Sequence, residues 1–284
     1  MNSGGANKNL NLTASRKVRF AIYSPAFWRL PAESLGIAVI PGRRFMAALL
    51  LTVAFALAAK FSRSVSPSGT VAGAVLAFIL YLGGGAGMFA ALVTVFVVAS
   101  ATTRVGYWRK QTLGLAERRE GRGASQVLAN ISAASVMAAL ALVANHPEGW
   151  LIAAVAALAE AAADTASSEF GQAVGRRAYL ITNFIQVPVG TDGGISVWGT
   201  VAGTLAALLV SVVATLTRVI PLHWMLPVTG IAVLGMFVDS LLGAWFERRQ
   251  LLGNDVVNFT STAVSALMAL LMYAESHGRV FGLR

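Results

Sequence analysis

The chain has 284 residues, of which 56% are hydrophobic and 12% charged, with a formal net charge of +10. The apolar residues come in long blocks rather than in a strand or helix alternation, which excludes a soluble domain and marks a polytopic integral membrane protein. In such a chain Arg and Lys orient loops and meet anionic headgroups, so the lipid bilayer is the expected partner and nucleic acid is not. With no Cys there is neither a disulfide framework nor a thiolate metal site.

Residues 1–44 read as a basic N-terminal tail and interfacial segment. The first 16 are polar and lack the apolar core of a signal peptide; "KVRFAIYSPAFWRLPAESLGIAVI" then mixes aromatic, aliphatic and basic residues as a membrane-surface segment does, up to Arg43 and Arg44. Residues 45–284 are the transmembrane domain. The expected fold is an all-α, polytopic helical bundle of about eight spans, within a range of six to nine, some short or re-entrant. The spans are placed near 45–60, 70–82, 86–103, 126–144, 150–165, 198–217, 224–245 and 258–274, and "YLGGGAG" is read as the turn between the second and third. Ala, Gly and Ser dominate them, which lets helix backbones approach closely where lipid offers no hydrophobic drive.

With eight spans, loops 61–69, 104–125, 166–197 and 246–257 share one side and carry nearly all the loop arginines and lysines. The positive-inside rule makes that side cytoplasmic, and compact basic loops without organelle-targeting features suggest a bacterial-type inner membrane. The seven basic residues within 1–44 fall on the opposite side and disagree with that count.

The unusual polar residues collect on the same side. "ERREGRGASQVLAN" sets Arg118, Arg119 and Arg122 before Gly123 and Ser125, a helix start with free N–H groups suited to phosphate, or else a basic anchor on headgroups. At the end of the fifth span Glu160, Asp164 and Ser168 share a helix face. Glu169 projects about 140° away from Asp164, so the two carboxylates meet one ion only if the helix breaks or another element intervenes. "VPVGTDGGIS" surrounds Asp192 with Gly190, Gly193 and Gly194, a phosphate-and-cation loop or an ordinary tight turn; Gly193 and Gly194 permit positive φ and close approach of the backbone. Asp239 lies in an apolar run, as partner to an Arg or as a metal ligand. There is no Gly-Lys dipeptide and hence no P-loop, and His146, His223 and His277 show no metal spacing.

"RREGRGASQVLAN", "ADTASSEFG", "VPVGTDGGIS", "VDSLLGA" and "LGNDVVNF", in this order and spacing within a stretch from about Pro67 to Ala269, resemble the signature segments of an integral-membrane family that contains the transmembrane protein 19 group and the plastid phytyl-phosphate kinase. The resemblance implies a lipid-phosphate kinase that transfers the γ-phosphate of CTP, with Mg²⁺, to an isoprenyl or phytyl monophosphate. Carried onto this chain, it implies Asp164, Glu169 and Asp192 as catalytic metal ligands. Arg118, Arg119, Arg122, Gly190, Thr191, Gly193, Gly194 and Ser196 would hold phosphates, with Gln126, Asn130, Ser168, Asp239, Asn254 and Asn258 in support. The chain departs from the pattern at Ile131, Ala166 and Val189, and lacks the basic residue often found before the Gly loop, where it has Asn183 and Gln186. Phosphate charge would then fall to Arg176, Arg177 or the 118–122 arginines. Two alternatives remain open: a cation-coupled transporter or lipid flippase using the intramembrane carboxylates, and a cytidylyltransferase that forms a CDP-lipid and releases pyrophosphate.

Overall fold

The computed structural model describes residues 41–117 and 120–277; most of the N-terminal segment, together with Arg118 and Arg119, lies outside the described residues. The helices are α1 (Gly42–Phe61), α2 (Pro67–Arg104), the short α3 (Tyr107–Thr112), α4 (Ala124–Val143), α5 (Pro147–Val174), α6 (Val197–Leu216), α7 (Met225–Leu242) and α8 (Asn254–His277). Among the described residues, seven are long and apolar enough to cross a membrane, α7 counting together with its flanking turns.

The helix α2 accounts for two of the predicted spans. Its 38 residues would extend about 57 Å if straight, far beyond a hydrocarbon core of about 30 Å. It breaks at Gly85, whose φ of 68° and ψ of −160° are open only to glycine. Beyond the break the chain folds back, because Arg104 Nη2 at its far end donates to Ser62 O (2.9 Å), just before its start. "YLGGGAG" is therefore a hairpin turn, and with the two arms of α2 counted separately the described residues make eight apolar traverses. Arg44 Nη2 donates to Gly83 O (3.1 Å), one of the carbonyls left at the hairpin break.

This contact separates the two ends of the bundle. The turn of α2 and the α6–α7 connection lie at one end, where Gly87 packs on Thr217 and Val219. At the other end residues 62–66 meet 121–123: Arg122 N donates to Ser64 O (3.1 Å) and Ser66 N to Arg122 O (3.0 Å). Arg109 donates from α3 to the carbonyls of Ala173 (3.2 Å) and Gly175 (2.6 Å). Three of the four loops assigned to one side thus meet at one end, and the fourth, 246–257, joins them where Glu247 and Asn254 share a cleft with Arg122 and Gly190.

The centre of the bundle is α5. Within its most apolar window 83% of residues are buried, against 17% for α1, and it packs on α2, α4, α6, α7 and α8. "AAVAALAEAAA" explains the position: methyl side chains on every face allow five neighbours to approach at once. The all-α expectation holds for the bundle, and one boundary needs correction: helix α5 does not stop near residue 165 but continues unbroken to Val174. The loop after it carries three very short strands. Strands β1 (Ala178–Leu180), β2 (Gln186–Val187) and β3 (Gly194–Ile195) form an antiparallel sheet in the order β2-β1-β3. At the membrane face these backbone groups need partners, and the short ladder supplies them where "NFIQVPVGTDGG" cannot form a helix.

Candidate active site

The sheet, the end of α5 and the start of α4 enclose a polar cleft of about 280 Å³ at the loop-rich end of the bundle. Every predicted site residue among the described ones lines it. Arg122, Gln126 and Asn130 come from the start of α4. Asp164, Ser168 and Glu169 come from α5, and Gly190, Thr191, Asp192, Gly193, Gly194 and Ser196 from the β2–β3 loop and the start of α6. Asp239 comes from α7, and Asn254 and Asn258 from α8. Arg176 and Arg177 are not among the lining residues, so of the described arginines Arg122 is the one in the cleft.

Arg122 is held from both ends. Gly121, at φ 78°, turns the backbone against Ser64, and the guanidinium Nη2 donates to Thr103 Oγ1 (3.2 Å) and lies 3.8 Å from Glu169 Oε1. Its Nε lies 3.9 Å from Glu117 Oε2. Helix α4 begins immediately afterwards, and its N-cap is Gly123 rather than Ser125; Gln126 Oε1 accepts from Gly123 N (2.8 Å). A cation and the positive end of a helix dipole thus face the same space.

The carboxylates divide into two groups. Asp164 and Asp239 interact directly, and Asp239 also accepts from Ser261 Oγ (3.1 Å) and, with the amide nitrogen of Asn258 turned toward it, from that side chain (3.2 Å). No Arg partner of Asp239 is found among the described residues, so the ion-pair reading of that residue is replaced by hydrogen bonds to α8. Glu247, on the five-residue wide turn Gly243–Glu247 that continues α7, adds a carboxylate that feels the charges of Asp192 and Asp164.

Glu169 belongs to the other group. Because α5 is unbroken, its side chain leaves on another face from Asp164, and its oxygens accept from Thr103 Oγ1 (2.8 Å) and Lys110 Nζ (2.5 Å). Lys110 is fully buried and also donates to Thr103 O (2.7 Å). The arrangement fits an ion pair that anchors Arg122 and ties α3 to α5, instead of a shared ligand set with Asp164. Among the described residues no three acidic or His side chains form a ready-made metal cage. Magnesium fits the donor set nonetheless, since it is usually held by one or two carboxylates with waters and substrate phosphates completing the octahedron. The adjacent Asp164 and Asp239, with Glu247 and Asp192 across the cleft, form an oxygen-rich group whose mutual repulsion a divalent cation would relieve.

The Gly loop differs in one detail from expectation. Positive φ occurs at Gly190 (87°) and Gly193 (73°), whereas Gly194 is in strand β3 and its N–H donates to Thr191 O (2.8 Å). The Gly194 amide is therefore committed to the turn. Ser196 is likewise engaged as the N-cap of α6, accepting from Gly199 N (3.1 Å). At Gly193 a Cβ would stand 2.6 Å from Ala244 N, so the loop and the wide turn of α7 pack backbone to backbone. Gly193→Ala is expected to destabilise the protein by about 1–2 kcal/mol from the left-handed backbone alone, with repacking against Ala244 adding to it. Thermal unfolding in detergent should show this. Gly253→Ala, with open space around it and no positive φ, should unfold like the parent protein.

Lys110 and Glu247 escaped sequence reading. Lys110 stands in "YWRKQT" among residues that read as orientation charges, and nothing local predicts its burial against α5. Glu247 falls about 80° from Asp239 on a regular helix; the wide turn reduces that angle and brings both into the cleft.

The family described as Integral membrane protein DUF92 matches residues 50–266. An uncharacterised membrane protein of Methanocaldococcus jannaschii is 32% identical over 81% of this chain and 94% of its own length. The chloroplastic protein VTE6 of Arabidopsis thaliana is 33% identical over 73% of this chain, which spans 65% of that relative. An uncharacterised membrane protein of Synechocystis is 32% identical over 69% of this chain and 78% of its own length. No solved structure matches the chain.

Proposed function

The chain belongs to the integral membrane protein DUF92 family, and on that premise we propose that it is a lipid-phosphate kinase transferring the γ-phosphate of CTP to an isoprenyl or phytyl monophosphate at the cytoplasmic face of a bacterial inner membrane. The observation that carries the reading is the cleft itself: five separate segments bring Arg122, a helix N-terminus, six carboxylates and a Gly loop together at one end of a membrane bundle. The resemblance of those segments to the phytyl-phosphate kinase family supports the reaction class.

The nucleophile in this reaction is an oxygen of the acceptor phosphate, already anionic at neutral pH, so no strong general base is needed. Positioning and charge neutralisation carry the catalysis. This chemistry suits a cleft whose charged lining is Arg and carboxylate, with no His. Arg122, oriented by Glu169 and Thr103, neutralises and aligns phosphate oxygens. Asp164, with Asp239, Asp192 and Glu247 nearby, would hold Mg²⁺. When bound, that ion supplies charge neutralisation along the donor phosphates. Asn130 and Gln126 orient polar groups of the substrate from α4, and Asn254 and Asn258 do so from α8. The rigid turn at Gly190–Gly194 shapes the wall against which a triphosphate lies.

The test is an assay of purified protein with Mg²⁺, CTP or ATP, and phytyl or geranylgeranyl monophosphate, following nucleoside diphosphate and lipid diphosphate by mass spectrometry. Lipid diphosphate with CDP supports the proposal. Pyrophosphate with a CDP-lipid would convert it to a cytidylyltransferase, and no product with any nucleotide from monodisperse protein would overturn it. The transport reading is favoured by one observation: Glu160 is fully buried in the bundle beside Asp164 and Asp239, with no cation paired to it among the described residues. Ion-coupled lipid movement in liposomes without nucleotide would establish it.

A further inference from the structure

A second cavity, of about 90 Å³, opens beside the cleft between α1, the two arms of α2, and α4. Its walls are apolar, and small residues line it on three sides: Ala56 and Ala59 on α1, Gly73 and Ala74 on the first arm of α2, and Ala99 on the second. The two cavities share four residues, Arg122, Gln126, Asn130 and Thr165. A guanidinium and two amides therefore stand at the junction of a polar cleft and an apolar groove that lies among membrane-crossing helices. That juxtaposition matches an amphiphile with an anionic head and a hydrocarbon tail, and nothing in the chemistry of a nucleotide uses it.

We infer that this groove receives the phosphate-proximal isoprene units of the lipid acceptor, with the phosphate at Arg122, and that Gly73 and Ala99 determine which chains enter. The inference rests on the lipid-phosphate reading of the cleft and adds the location of the tail. Phe55 and Phe96 line the groove and meet edge to face (5.1 Å), and its volume of about 90 Å³ is small, so the groove takes the units nearest the phosphate and the rest of the tail stays in the bilayer. A Cβ at Gly73 would find its nearest neighbour, Val127 Cγ1, at 3.8 Å. Alanine fits there, whereas a leucine side chain projects into the groove.

The experiment is binding and photocrosslinking of a diazirine-bearing geranylgeranyl monophosphate to the full chain in lipid nanodiscs, with CTP binding measured separately. Gly73→Leu and Ala99→Leu are expected to weaken lipid-phosphate binding by about tenfold or more, as blocking an apolar pocket does. The exterior control Val75→Leu should bind like the parent protein, and CTP binding should not change in any of the three variants. Crosslinks should map to α1, α2 and α4. Unchanged binding by both leucine variants would overturn the inference. So would crosslinks on the outer faces of α6 and α7, or a groove labelled by a diazirine phospholipid that the monophosphate cannot displace, which would make it a site for a resident bilayer lipid. Gly73-dependent binding without phosphoryl transfer from any nucleotide would overturn the kinase reading and leave the groove standing.

Discussion

Replacement of Asp164 by Asn is expected to lower turnover by about 10²–10³-fold, the scale seen when one preorganised electrostatic contact to a transferring group is lost. The fold should not suffer. Asn is isosteric with Asp, and its neutral amide can keep a hydrogen bond to Asp239 while removing the charge repulsion between the two carboxylates. Thermal unfolding in detergent should occur at or above the parent temperature, while release of nucleoside diphosphate falls. Parent-level turnover in this variant would remove Asp164 from the metal and phosphate machinery. Asp192→Asn provides the companion measurement across the cleft, where loss of turnover alongside intact lipid binding would tie the loop to the nucleotide.

The second large effect is expected on stability. Lys110→Met leaves the Glu169 carboxylate without its closest cation in a nearly dry setting, which costs about 3–5 kcal/mol for a buried pair broken on one side. The side chain of Lys110 is fully buried and that of Glu169 is 12% exposed, so solvent does little to screen the loss. Adding Glu169→Gln to Lys110→Met should recover much of the stability, because no unpaired charge then remains buried. The pair also fixes Arg122 indirectly, through Thr103 and Glu169. The recovered double variant should therefore fold well and transfer phosphate poorly, with a raised KM for the lipid acceptor. A double variant that regains full activity would limit the pair to holding α3 against α5.

Several features were readable because their cause is local. Apolar blocks of this length have only one medium, and "YLGGGAG" has too little side chain to continue a helix, so both the bundle and the turn at Gly85 follow from composition. The cleft residues were also legible, since carboxylates, arginines and glycines are costly or unhelpful at a membrane face unless they meet a ligand. Roles within the cleft were less so. Glu169 and Asp164 stand five residues apart in one motif, yet the unbroken helix sends them to different partners. Gly194 was read with Gly193 as a phosphate cradle, yet its amide closes the turn on Thr191.

The amino-acid sequence by itself determined the membrane, the approximate traverses, and the set of residues that would gather at one end, because hydropathy, glycine content and the expense of buried charge are properties of short segments. Tertiary structure alone decided that Lys110 would be buried against Glu169, that Glu247 would turn in beside Asp239, and that an apolar groove would open next to Arg122. Each of those depends on how helices far apart in the chain pack together, and on the side-chain directions set by one unbroken helix and one widened turn.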